Sequence, residues 1–195
     1  MMGSASIERK TKETDITASL KIDGSGKADI STTIPFFDHM LNQLAHHGFF
    51  DIELKATGDT EVDFHHTVED CGITLGQAFT KALGEKREIK RFGHAVVPLN
   101  EALSSVTVDF SGRPFMVFKG NGLKGKIGDF DAELIEEFLH AFSNNAGLTL
   151  HVQVEYGTNL HHMAETVFKA LAKALDIATS REPRAKGVIS TKGSL

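Results

Sequence analysis

The chain has 195 residues, 41% hydrophobic and 24% charged, which is enough apolar material for a packed core in one or at most two domains. Its 21 Lys and Arg against 26 Asp and Glu give a formal charge of −5, which speaks against a protein that lives on nucleic acid. A single cysteine, Cys71, excludes an intramolecular disulfide framework. No apolar run reaches membrane-spanning length and residues 1–12 are polar, without a signal-peptide core. A cytoplasmic protein with neither a nucleic-acid nor a membrane partner is therefore expected.

Residues 13–23 alternate, with Ile16, Ala18, Leu20 and Ile22 on one face, and predict a half-buried strand. It ends in the turn Asp23-Gly24-Ser25-Gly26, and residues 27–33 read as its hairpin partner. Pro35 opens a helix, where its missing N–H is harmless, and Gly48 closes it. A strand over 49–57 follows, and then a helix from about 64 to 83, preceded by Asp63 and stopped by Gly84. Strands are predicted at 95–99, 104–110 and 115–118. Asp129 reads as the cap of a helix running to about 143. A strand over 148–156 and a last helix capped by Asn159, to about 179, complete the elements. The tail 183–195 is rich in Gly, Ser and Lys.

The pattern occurs twice. A helix holding His39, a strand, and the helix opening His65-His66-Thr67-Val68-Glu69 are echoed by a helix holding Glu136-Glu137, a strand, and the helix opening His161-His162-Met163-Ala164-Glu165. His39 precedes His65 by 26 residues and Glu137 precedes His161 by 24, so Glu137 is the counterpart of His39. The expectation is a single α/β (α+β) domain over 1–195, duplicated at about 10–90 and 91–180, as a two-layer sandwich of mixed sheets with helices.

Six of the ten histidines sit in adjacent pairs, and two of those pairs begin an H-H-x-x-E motif. On a helix, residues four apart share a face while neighbours diverge by about 100°. His65 therefore points with Glu69 and His161 with Glu165, while His66 and His162 point elsewhere. Two ions satisfy this arrangement. One takes His65, Glu69 and His162, with Glu137 able to join, and the other takes His161, Glu165 and His66, with His39 able to join. Imidazole and carboxylate without thiolate suit Mn, Fe, Co, Ni or Zn. His46, His47, His94, His140 and His151 lack such spacing and read as structural. Gly120-Asn121-Gly122-Leu123-Lys124-Gly125 fits a nucleotide-binding glycine pattern, but no helix starts directly after it, so it reads as a flexible loop. Cys71 lies inside a helix without a redox partner and is not read as a nucleophile.

Arg91, Arg113, Lys169 and Lys192 each adjoin a Gly-, Ser- or histidine-rich segment. Ser190-Thr191-Lys192-Gly193 offers hydroxyls, backbone N–H groups and an ammonium, as phosphate sites do. Together they point to an anionic, phosphorylated substrate.

On these residues the sequence resembles the imidazoleglycerol-phosphate dehydratase family. The resemblance is carried by Arg9-Lys10-Thr11-Lys12-Glu13-Thr14, Phe36-Phe37-Asp38-His39-Met40-Leu41, His65-His66-Thr67-Val68-Glu69-Asp70, Arg91-Phe92-Gly93, Ser111-Gly112-Arg113-Pro114, His161-His162-Met163-Ala164-Glu165 and Ser190-Thr191-Lys192-Gly193, in family order. It implies a hydro-lyase of histidine biosynthesis that converts imidazoleglycerol phosphate to imidazoleacetol phosphate and water. It also implies two Mn²⁺ per subunit and a homo-oligomeric cage of 24 subunits built from trimers. The metal ligands map onto His39, His65, His66, Glu69, His161, His162 and Glu165; some members carry a histidine at the position of Glu137, which is also able to ligate manganese. Substrate contacts map onto Glu13, the segment from His39 to His47, Arg91, Arg113, Lys169, Ser190 and Lys192, with His65, Glu69 and His161 close by. The basic and hydroxyl members of that set would hold the phosphate. A metal-bound imidazole is acidified and helps to expel the neighbouring hydroxyl, and a carboxylate, Glu13 or Glu165, moves the carbon-bound proton. The rival readings are a non-enzymatic, metal-assembled storage or sensor protein, which leaves the basic residues unexplained, and a dinuclear hydrolase acting through an open metal-bound water.

Overall fold

The structure is a computed structural model that describes residues 3–193 and 195; Met1, Met2 and, within the predicted tail, Ser194 lie outside the described residues. The first half runs β1 (Ser4–Lys10), β2 (Thr14–Lys21), β3 (Ala28–Ser31), α1 (Pro35–Gly48), β4 (Asp51–Gly58) and α2 (His65–Leu83). The second runs β5 (Phe92–Leu99), β6 (Ala102–Asp109), β7 (Phe115–Lys119), the short pair β8 (Lys126–Ile127) and β9 (Phe130–Asp131), α3 (Leu134–Ala146), β10 (Thr149–Tyr156) and α4 (Leu160–Thr179). The four-stranded sheets are ordered β1-β2-β4-β3 and β5-β6-β10-β7. Both are mixed: β3 runs parallel to β4 and β7 parallel to β10, while the other pairings are antiparallel. The expected α/β class with mixed sheets and packed helices is what the chain adopts.

The strands alternate as their residues dictate: Ile16, Ala18 and Leu20 of β2 are buried while Asp15, Thr17 and Lys21 face out. The inner faces of the sheets meet the helices, with α2 on β1 and β2, and α4 on β5 and β6. The helices also meet each other, α2 against α3 and α1 against α4. Phenylalanines join the two halves: Phe50 packs on Phe79, Phe79 on Phe142, Phe142 on Phe138, and Phe138 on both Phe37 and Phe168, with centroids 5.1–6.0 Å apart. All six side chains are fully buried.

Two expectations are corrected. Residues 27–33 are not the hairpin partner of β2. The carboxylate of Asp51 accepts from the backbone N–H of Ser25 (2.7 Å) and Lys27 (3.1 Å) and pulls the turn past β2, so that β3 adds to the far side of β4. The antiparallel partner of β2 is β1, an edge strand too polar to show periodicity. Asp129 caps no helix. It sits in the turn between β8 and β9 after Gly128 (φ 63°), and α3 begins at Leu134 once buried Phe130 has docked between Phe36 and Phe37.

Helices α2 and α3 cross closely because Gly72 and Gly76 face α3 without side chains. A Cβ on Gly72 would lie 2.7 Å from the carbonyl oxygen of Phe138, and one on Gly76 2.7 Å from that of Phe142. Gly72→Leu is expected to force the helices apart and lower unfolding stability by roughly 1–3 kcal/mol or more. Urea denaturation of the variant checks this, and an unchanged midpoint contradicts it.

Candidate metal and anion site

The site begins at the entrance to α4. The side chain of Asn159 accepts from the backbone N–H of His161 (2.9 Å) and His162 (3.3 Å), which fixes the first turn and the two rings on it. The rings of His161 and His162 diverge at 79° with centroids 6.2 Å apart, and those of His65 and His66 at 86° and 6.1 Å. One turn on, Glu165 lies beneath His161, with Nε2 3.1 Å from Oε2.

Helix α1 supplies the third group. Its apolar face (Met40, Leu41, Leu44) is buried, and the carboxylate of Asp38 in its first turn accepts from the N–H (2.7 Å) and hydroxyl (2.5 Å) of Thr32. His39 Nε2 thereby comes to 3.2 Å from the same Oε2 of Glu165. The three ligand atoms lie within 4.8 Å of one another. The other oxygen of Glu165 takes Lys169 Nζ at 2.5 Å, and Phe36 and the His161 ring pack edge to face, with centroids 5.3 Å apart. Burial raises the pKa of Glu165, but Lys169, His39 and His161 outweigh it and hold the carboxyl below its ordinary value. Two imidazole nitrogens converging on one ionised oxygen is a donor set that a divalent transition metal satisfies.

The first motif is arranged differently. Among the described residues no three-ligand cluster forms around His65 and Glu69, and half-buried Glu137 lies in the first turn of α3. His66 turns Nδ1 to the carboxylate of Asp59 (3.0 and 3.2 Å), with Glu13 Oε2 at 3.9 Å. The Asp59 hydrogen bond raises the His66 pKa. His162 turns Nδ1 to Glu101 Oε2 (2.8 Å), and that contact together with the Asn159 N–H pulls the Glu101 carboxyl down to about 2. His66 is thus not gathered with His161 and Glu165 inside one chain, nor His162 with His65 and Glu69. No sequence motif links Asp59 or Glu101 to its histidine, so neither contact is legible in the sequence.

Glu13 sits in the turn between β1 and β2. Its backbone N–H donates to Thr11 Oγ1 (3.0 Å) and its carbonyl accepts from the Asp59 N–H (3.1 Å). Buried Asp70, next to Glu69, holds both sides of that hairpin. It takes Arg9 Nε at 2.9 Å and the Thr14 hydroxyl at 2.5 Å.

The basic residues separate into two places. Arg91, Phe92, Arg113 and residues 189–192 line a cleft of about 470 Å³ that brings Arg113, Ser190 and Lys192 together. Arg91 is already engaged. Its Nε and Nη2 hold Asp109 (2.6 and 3.0 Å), and its Nη1 donates to the carbonyl of Ile189 (2.6 Å), so it ties the tail to β6. Lys169 lies outside this cleft, beside Glu165. His47, in the last turn of α1, hydrogen-bonds Gln43 at 3.1 Å, and burial followed by the charge of Lys169 lowers its pKa. The Gly120–Gly125 loop is pinned rather than flexible, by buried Leu123 and by Asn121 donating to the Val154 carbonyl (2.6 Å), and it faces the acidic Glu133 and Glu136.

A profile of the imidazoleglycerol-phosphate dehydratase family matches residues 32–175, which hold the His39, His161 and Glu165 cluster and both motifs. The chain belongs to the imidazoleglycerol-phosphate dehydratase family. It is 53% identical to the imidazoleglycerol-phosphate dehydratase of Pelobacter propionicus over the whole of both chains. It is 57% identical to that of Gluconacetobacter diazotrophicus, over 98% of this chain and 97% of the relative. Among solved structures it is similar to the Staphylococcus aureus dehydratase (TM-score 0.83, 35% identity, 92% of this chain and 99% of that one). It is also similar to the Pyrococcus furiosus dehydratase in complex with (S)-C348 (TM-score 0.81, 37% identity, 97% and 100%). The family is one of hydro-lyases. No helix among the described residues is long and apolar enough to cross a membrane.

Cys71 is fully buried in α2, and burial pushes its thiol pKa up. Native protein treated with a thiol-reactive reagent is expected to stay unlabelled by mass spectrometry until denaturant is added.

Proposed function

We propose that the chain is a metal-dependent imidazoleglycerol-phosphate dehydratase of the cytoplasm, forming imidazoleacetol phosphate and water in histidine biosynthesis. The observation that carries this reading is the convergence of His39, His161 and Glu165, from helices far apart in sequence, on one point in a chain of this family. The proposed complement is two Mn²⁺ per subunit, held by His39, His65, His66, Glu69, His161, His162 and Glu165, with Glu137 available as a further oxygen ligand. Because the second histidine of each motif points away from the cluster in its own chain, the sets are completed between copies, in a homo-oligomer of 24 subunits built from trimers. We also take residues 1–195 as a single duplicated domain, with halves at about 10–90 and 91–180 and the tail at 183–195.

The metal, when bound, acidifies the imidazole ring of the substrate. The chain's own residues do the rest. Arg113, Ser190 and Lys192 hold the phosphate, with Arg91 fixing the tail that carries two of them, and Lys169 adds positive charge beside the ions. His39, His47, His65, Glu69 and His161 surround the ring. The hydroxyl next to the ring leaves with a proton as water. Glu13 or Glu165 takes the proton from the following carbon, and the resulting enol becomes the ketone.

Turnover of imidazoleglycerol phosphate by metal-stripped protein with Mn²⁺ restored, read by ultraviolet absorption of the enolised product, tests the reading. No turnover with metal bound favours storage or sensing, and phosphate release without ketone favours a hydrolase. Lys192→Ala, which removes a charge-assisted contact worth about 1.5–3 kcal/mol, is expected to raise KM with metal content intact. Glu69→Gln and Glu165→Gln are each expected to lose about one ion and most activity, read by metal analysis and the same assay.

A further inference from the structure

Outside the clustered ligands, two carboxylates meet histidines in the same way from unrelated places in the chain. Asp59 immediately follows β4, and Glu101 lies in the turn between β5 and β6. In the repeated plan these are not equivalent positions. The place after β10 that corresponds to Asp59 is held by Gly157 and Thr158, and neither supplies a carboxylate. Both nevertheless end on the Nδ1 atom of the second histidine of an H-H-x-x-E motif, at 3.0 Å for Asp59 to His66 and 2.8 Å for Glu101 to His162.

We propose that Asp59 and Glu101 are positioning residues that set the tautomer and aim of His66 and His162, so that each ring offers Nε2 to a metal ion. This rests on the metal-dependent reading above. An ionised carboxylate only accepts, so the proton of the bond sits on Nδ1 and the lone pair is left on Nε2. Metal-ligating histidines commonly hold their second nitrogen in this manner, and removing the partner weakens metal binding about 10–100-fold. His161 likewise turns Nε2 into the cluster, where it meets Glu165. Both residues are held in place independently of the histidines, Asp59 through its backbone and Glu101 at the carboxylate itself. The Asp59 N–H donates to the Glu13 carbonyl (3.1 Å), and Glu101 Oε1 accepts from the Asn159 N–H (2.9 Å).

The test uses the full chain with nitrogen-15-labelled histidine. In the metal-free wild type, nitrogen-15 magnetic resonance is expected to show His66 and His162 as Nδ1–H tautomers. In Asp59→Ala, His66 is expected to change to the Nε2–H form that an unconstrained neutral histidine side chain favours. Calorimetric titration with Mn²⁺ alone is expected to show one ion weakened about 10–100-fold in Asp59→Ala and less in Asp59→Asn, whose amide oxygen still accepts. Glu101→Gln keeps an oxygen for the Asn159 N–H and is expected to weaken one ion with the melting temperature unchanged. Nε2–H tautomers in the wild type, or Asp59→Ala binding Mn²⁺ as the wild type does, overturn the proposal. A wild type that shows the Nδ1–H tautomers and binds Mn²⁺ but does not turn over the substrate overturns the proposed reaction and leaves this assignment standing.

Discussion

Glu165 offers one oxygen to two histidines that lie 126 and 4 residues from it in sequence, and it does so only because α1 lies along α4. That contact is hydrophobic in origin. Met40, Leu41 and Leu44 on one side and the alanine-rich inner face of α4 on the other are almost wholly removed from water. The polar end of the same pair of helices then has no freedom to splay, and the three ligand atoms stay within reach of a single ion. Burial also sharpens the electrostatics, since Lys169 and the two imidazoles act on Glu165 through a partly dry medium.

The two halves share a sequence of elements and a strand order but differ where chemistry is concentrated. His39 is answered by Glu137, and Lys169, four residues after Glu165, by the uncharged Ile73 four residues after Glu69. Behind each motif a buried polar bond ties the helix to its sheet: Asp70 to Thr14 at 2.5 Å in the first half, and Thr166 to Ser104 at 2.7 Å in the second. The first of these also engages Arg9, so the hairpin carrying Glu13 is held by charge as well as by a hydroxyl. The two metal-binding ends of the proposed site are therefore built on one plan but carry different charge.

An acidic chain gathers its cations locally. Arg91 spends its guanidinium on Asp109 and the Ile189 carbonyl, and that engagement holds residues 189–192 against the cleft where Arg113 and Lys192 stand exposed. Of the basic residues named from the sequence, one acts on the backbone of the tail, one on the Glu165 carboxylate, and two have no ion pair among the described residues and line the cleft.

The sequence by itself determined the fold class, the presence of four helices, the stop of α2 at Gly84 and the end of α4 near Thr179, and the duplicated H-H-x-x-E. These are local matters: side-chain period, a proline or asparagine at a helix entrance, a glycine at its exit, and the fixed angle between residues one and four apart on a helix. That angle also implied that the paired rings diverge, as they do. Only the tertiary structure decided the rest. It sent β3 past β2 because the carboxylate of Asp51 captured the turn, and it replaced the expected cap at Asp129 with a hairpin because Phe130 had a buried place to fill. It put His39 on Glu165, and it brought Asp59 to His66 and Glu101 to His162. Contacts of this kind depend on which surfaces pack together across many tens of residues, and neither periodicity nor spacing along one chain carries that information.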